Sequence, residues 1–243
     1  MHNYKLWSVF NKLSIIGLLS LLFTLQAYAV VNVEGTRVVF NANDKTLSLS
    51  LANSEKHPTL IQMWVDDGDM LALPETIKSP IIISPPVFSM QASEIRAVRL
   101  MLASRAMLAK EQESLYWLNI YQIPPNTQSN FRLDQKVVLP LRIRMKIFIR
   151  PEGVRPLQQQ DGYLITFKLT DEKGKTKLTF INPTAWHMNL NSVFVSGEQV
   201  PDVMLLPKSE YSVMLKKSPN HYQQIIYDVI NDQGTSWQYQ VKF

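Results

Sequence analysis

QKVVLPLRIRMKIFIRP, residues 135–151, sorts by parity into two chemical sets. The odd positions Val137, Leu139, Leu141, Ile143, Met145, Ile147 and Ile149 are all apolar, whereas the even positions bring in Arg142, Arg144, Lys146 and Arg150. A period of two is the signature of a β-strand, because successive side chains point to opposite faces. At about 3.3 Å per residue the alternation runs for roughly 45 Å, beyond the usual strand of about 3–10 residues. Part of this strand therefore outruns its own sheet. Pro140 strengthens that expectation, since proline has no N–H for a ladder and is confined to edges, strand starts and bulges. A long apolar edge is normally blunted against aggregation; one left open implies pairing with another chain. The competing reading, in which all seven odd residues face the domain's own core, makes the strand purely structural.

Outward from this strand, the chain of 243 residues begins with a targeting segment. Lys5 and Lys12 lead into an apolar run from Leu13 to Leu25, and Ala27-Tyr28-Ala29 follows with small residues where a signal peptidase reads. Residues 1–29 are thus expected to be a signal peptide, with the mature chain starting at Val30. The run is too short to serve as a membrane anchor, so no membrane insertion is expected after cleavage. The chain has no cysteine, which excludes disulfides, thiolate metal sites and cysteine nucleophiles. Its formal charge of +5 is modest and spread among the strands, which suits binding of anions at particular points rather than a nucleic-acid partner.

Short alternating runs separated by turn residues fill the rest. Arg37–Phe40, Thr46–Leu51 and Leu60–Val65 read as strands, and Asp66-Asp67-Gly68-Asp69 reads as a solvated hairpin turn. Pro80–Ser84, Ile95–Leu102 and Leu115–Ile123 continue the series. Pro151 to Gln160, with Pro156 and three successive glutamines, has the composition of an interdomain linker. Beyond it, Tyr163–Leu169, Lys175–Ile181, Trp186–Val195, Val200–Leu206, Tyr211–Leu215, Tyr222–Ile230 and Trp237–Phe243 read as a second set. The expected architecture is all-β: two immunoglobulin-like β-sandwich domains, residues 30–152 and 158–243.

Particular motifs carry a resemblance. Glu113-Ser114-Leu115-Tyr116-Trp117-Leu118-Asn119-Ile120-Tyr121-Gln122-Ile123-Pro124-Pro125 resembles the signature of the periplasmic pilus-assembly chaperones of the PapD family. Gly35-Thr36-Arg37-Val38-Val39-Phe40, Lys146-Ile147-Phe148-Ile149-Arg150-Pro151, Asn182-Pro183-Thr184 and Ile230-Asn231-Asp232 match the same family in the same order, so the resemblance spans nearly all of the mature chain.

The resemblance implies a periplasmic chaperone. Such a protein binds, folds and caps pilus or fimbrial subunits by lending them a strand, one of the known modes of strand addition, and delivers them to an outer-membrane usher. It implies that the two domains are joined at an angle with a cleft between them, that Arg37 and Lys146 anchor the subunit's terminal carboxylate in that cleft, and that Glu113, Arg150 and Asp232 form an ionic network that fixes the angle. The donated row is Val137, Leu139, Leu141 and Ile143. At about 1.5–3 kcal/mol per buried side chain it offers roughly 6–12 kcal/mol gross, against an association cost of about 4–15 kcal/mol. An immunoglobulin-like fimbrial adhesin or surface binding module is the alternative. His57, His187 and His221 are isolated, without metal-ligand spacing, serine elbow or phosphate loop; no enzyme activity, metal or cofactor is expected.

Overall fold

The computed structural model describes residues 31–123 and 140–243. The expected signal segment, its cleavage point at Val30, and Val137 and Leu139 of the long strand lie outside the described residues. The first domain contains β1 (Val31–Val33), β2 (Arg37–Phe40), β3 (Thr46–Asn53), β4 (Thr59–Asp66), β5 (Ile81–Ser84), β6 (Val87–Met90), β7 (Ile95–Leu102), β8 (Ser114–Ile123) and β9 (Leu141–Ile149). These form two sheets, β1-β3-β7-β5 and β2-β9-β8-β4-β6. Their inner faces share one core that includes Phe40, Leu51, Ile61, Leu100, Leu118, Ile120 and Ile147. Inward residues alternate with outward ones along each strand, as a sandwich requires.

The second domain contains β10 (Thr166–Glu172), β11 (Lys175–Asn182), β12 (Met188–Val195), β13 (Glu198–Val200), β14 (Val203–Leu205), β15 (Ser209–Leu215), β16 (Gln224–Ile230) and β17 (Ser236–Lys242). One sheet runs β10-β11-β15; the other runs β13-β12-β16-β17, with β14 also paired to β12. Phe180, Met188, Leu190, Tyr227 and Val229 lie in a core of their own. Two packed sheets on each side of a linker make this an all-β chain of two immunoglobulin-like sandwiches.

The structure also departs from the expected strands. The run Val200–Leu206 is two strands rather than one, because Pro201 has no N–H to continue the ladder. β1 and β6 were not anticipated; each is a short edge strand with too few residues to display a period. The linker is not a free tether either. Val154 and Leu157 pack against the second core, Arg155 pairs with Asp161 at 2.6 Å, and Trp186 Nε1 donates to Arg155 O at 2.9 Å. A 3-10 helix, Gln159–Leu164, follows directly.

Candidate functional site

The two neighbours of β9 differ in length. β8 pairs antiparallel with all of it, Ser114 opposite Ile149 through Gln122 opposite Leu141. β2 runs parallel on the other side and covers only Lys146–Ile149, with Arg37 opposite Lys146 and Phe40 opposite Ile149. From Leu141 to Met145 the edge on the β2 side thus has no partner strand among the described residues.

The odd row of β9 changes its environment along the strand. Ile149, Ile147 and Met145 are 1%, 0% and 4% exposed in the core, whereas Leu141 is 45% exposed. Ile143, between them, is partly buried against that core. The row thus serves the domain's own core at one end and runs out of it at the other, beside the unpaired edge. The competing reading, in which all seven odd residues face the domain's own core, fails at Leu141.

The even face carries a grid of cations and aromatic rings. Across the sheet, Asp66, Trp117, Lys146 and Arg37 stand in one transverse row, and Trp64, Asn119 and Arg144 in the next. Arg142 donates to Asn119 Oδ1 from Nε at 2.9 Å and from Nη2 at 2.7 Å, and to Met70 O at 2.9 Å. Its guanidinium lies 5.0 Å from the Trp64 ring centroid, and that of Arg144 lies 4.4 Å from Trp117. Arg144 is salt-bridged to Asp66. Asp66 is fully buried, which corrects its assignment to a solvated turn: it ends β4, under the arginines. Burial alone pushes its carboxyl pKa up, but bonds from Arg144, Asn119 and the Gly68 N–H outweigh this and hold it below the ordinary carboxylate value.

Arg37 and Lys146 face the same way side by side, because directly paired residues share a face of the sheet. Arg37 Nη1 donates to Ile230 O of the second domain at 3.1 Å, and its guanidinium sits 5.9 Å from the Phe148 ring. Its Nε is buried with no hydrogen-bond partner among the described residues. Burial, and then the neighbouring charge of Arg37, lowers the pKa of Lys146. Burial also lowers that of Arg37, against the pull of Asp232 and Glu113. Two partly desolvated cations in adjacent register gain most from a single shared anion, and a guanidinium fork with an ammonium suits a carboxylate.

Glu113, Arg150 and Asp232 come together at the domain boundary. Arg150, 2% exposed, donates from Nε to Glu113 Oε1 at 2.7 Å and through both terminal nitrogens to Asp232 at 2.7 Å. The main chain around it is held by Arg105, which donates to Arg150 O at 2.8 Å and Asn41 O at 2.7 Å. Sequence reasoning missed His187 as a member of this joint. Its N–H donates to Glu113 Oε2 at 2.8 Å, its Nδ1 lies 3.2 Å from the same oxygen, and its ring lies 5.5 Å from that of Phe148. The available signal was its place just after Asn182-Pro183-Thr184. Asn182 donates to Trp186 O and Leu206 O, each at 2.8 Å, and accepts from Thr184 N–H, turning Ala185 and His187 towards the first domain. Glu113 N–H closes that contact on Ala185 O at 2.9 Å.

Comparison with known proteins agrees with this architecture. Residues 30–155 match the family model described as "Pili and flagellar-assembly chaperone, PapD N-terminal domain", and residues 163–241 match "Pili assembly chaperone PapD, C-terminal domain". The chain is 31% identical to the Klebsiella pneumoniae chaperone protein MrkB, over 88% of this chain and 91% of that protein. It is 28% identical to the probable fimbrial chaperone YadV of Escherichia coli K12, over 87% and 89% of the two chains. Among solved structures it resembles the Pseudomonas aeruginosa CupB2 chaperone, with a TM-score of 0.71 and 26% identity over 87% of this chain and 100% of that one. It also shares the fold of a chain in the Salmonella enterica complex of SafA pilin with the SafB chaperone, with a TM-score of 0.74 and 22% identity over 90% and 98% of the chains. With both domain models matched in order across nearly the whole described chain, the protein belongs to the PapD family of pilus-assembly chaperones.

Proposed function

We propose that this chaperone holds a pilus or fimbrial subunit by accepting the subunit's carboxy-terminal strand along the unpaired edge of β9. The subunit's terminal carboxylate is gripped by Arg37 and Lys146. The observation that carries this reading is the place where β2 stops: its first residue, Arg37, stands opposite Lys146, so a strand added in line with β2 and parallel to β9 ends at the two cations. Leu141 and Ile143, with Val137 and Leu139 before them, give such a subunit the apolar row its own fold lacks. Register matters because a slip of one residue turns an alternating strand inside out, and a fixed carboxylate prevents the slip. The Glu113, Arg150 and Asp232 network holds the second domain against this end of β9. The protein acts in the periplasm, reached through the signal segment at residues 1–29, and passes its subunits to an outer-membrane usher. Among the described residues no helix is long and apolar enough to cross a membrane.

The test is a synthetic subunit-tail peptide made as the free acid and as the amide. Removing one partner of a desolvated charge pair costs about 2–5 kcal/mol, so the amide should bind roughly 30-fold to several-thousand-fold more weakly. Arg37→Ala should remove most of the difference between the two peptides. Equal binding of acid and amide to the native protein would refute the anchor.

A further inference from the structure

The even face of β9 has a chemistry that carboxylate capture does not use. In the transverse rows nearest the unpaired edge stand Arg144, opposite Asn119, and Arg142, opposite Tyr121. Both are fixed: Arg142 by Asn119, Met70 O and the Trp64 ring, and Arg144 by Asp66 and the Trp117 ring. One carboxylate serves both guanidiniums, with Asp66 paired to Arg144 and 3.8 Å from Arg142. Asp66 is fully buried and does not reach past them. Asp69, in the turn that follows β4, accepts from Leu71 N–H in its own loop. The Arg142 side chain remains 31% exposed. With Arg37 and Lys146 alongside, the strip carries an excess of positive charge next to a ladder position that has no partner strand among the described residues.

We propose that this strip selects a subunit tail in which acidic side chains alternate with apolar ones, the acids occupying the two positions that pair with Arg144 and Arg142. The inference rests on the strand-addition reading above and names the guest that reading favours. Its geometry follows from the register. A guest strand in line with β2 places one alternate set of side chains beside Ile143 and Leu141, on the apolar side, and the other beside Arg144 and Arg142. Opposite charges directly across a ladder attract and like charges repel. Because both guanidiniums are already held by protein groups, pairing costs little further ordering of their side chains.

The experiment uses peptides long enough to span Leu141 to Lys146, all with a free terminal carboxylate and the same apolar positions, and with Glu, Gln or Lys at both alternate positions. Binding to the full mature protein is measured by calorimetry at low and high salt. The expected order is Glu tighter than Gln tighter than Lys, several-fold per step, shrinking at high salt as screening removes the charge effect. In Arg142→Gln, checked for folding by circular dichroism, the Glu preference should diminish; if that variant does not fold, the salt dependence on the native protein decides. If all three peptides bind the native protein alike, the strand-addition reading stands and the acidic preference is overturned. If none binds, the strand-addition reading fails and this inference falls with it.

Discussion

Gly234 of the second domain lies so close to Thr36 of the first that a Cβ built on the glycine would stand 2.4 Å from Thr36 Oγ1. Gly234 also has a φ of +84°, a conformation that other residues adopt at a cost of about 1–2 kcal/mol. Its turn carries Asp232, so any movement there shifts the carboxylate that meets Arg150. Gly234→Ala should therefore destabilise the protein by about 1–3 kcal/mol through overpacking and strain, read from the denaturation midpoint. Adding Thr36→Gly should recover the part due to overlap, and a strictly additive double variant would show that the contact contributes nothing.

Arg150→Ala should be more damaging. It leaves Glu113, 3% exposed, and Asp232 without their shared cation, and breaking a buried ion pair typically costs about 3–5 kcal/mol. The joint itself should loosen, so small-angle scattering is expected to show a broader distribution of interatomic distances. An unchanged scattering profile in a folded Arg150→Ala protein would mean that the domains are held by other contacts.

Leu141 and Met145 belong to the same row but should respond oppositely to charge. Leu141→Glu, at a position 45% exposed, is expected to change stability by no more than about 0.5 kcal/mol, as surface substitutions do, while abolishing subunit holding. Met145→Glu buries a carboxylate at a position 4% exposed and should cost more than about 4 kcal/mol. Urea denaturation and co-purification of a subunit distinguish the two. Loss of folding in Leu141→Glu would assign that end of the row to the core.

Lys146 should give carboxylate binding a pH dependence. Its folded-state pKa is lowered by burial and then by Arg37, whereas in the unfolded chain it lies near 10.4. Between these values the unfolded chain holds the proton and the folded chain does not. The contribution of Lys146 to stability thus rises with pH through that window. Affinity for the peptide carboxylate falls through the same window as the ammonium is lost. Peptide dissociation constants measured from neutral pH to about 10 should therefore weaken earlier than an ordinary lysine predicts, and Lys146→Arg should flatten the curve.

How much was legible varied with how local each feature is. The parity of residues 141–149 fixes the strand and the faces of Leu141 and Lys146, because side-chain alternation is a property of the strand alone. Where the core ends along that row depends on a neighbour far away in sequence: Arg37–Phe40 reads as a strand of four residues, but nothing in its alternation says that it lies beside Lys146–Ile149. Asp66 sits beside Asp67 and Gly68 and has the composition of a turn, yet it is buried because Arg144 and Asn119, from two other strands, converge on it. His187 had only its place after Asn182-Pro183-Thr184 to mark it, for the same reason. Its partner Glu113 is 74 positions away, and the bond exists only once the two domains meet.

That dependence on distant partners has a consequence for the order of events during synthesis and export. The guanidinium of Arg150 is completed by Asp232, which follows β16 in the chain, while β9 and Arg37 are made much earlier. Until the turn that carries Asp232 has been delivered, the end of β9 lacks the acid, the histidine and the Ile230 carbonyl that surround it, next to the edge proposed to receive a subunit. On the proposed function, the capacity to hold a guest in register is therefore complete only late in the chain, once the turn after β16 has been delivered.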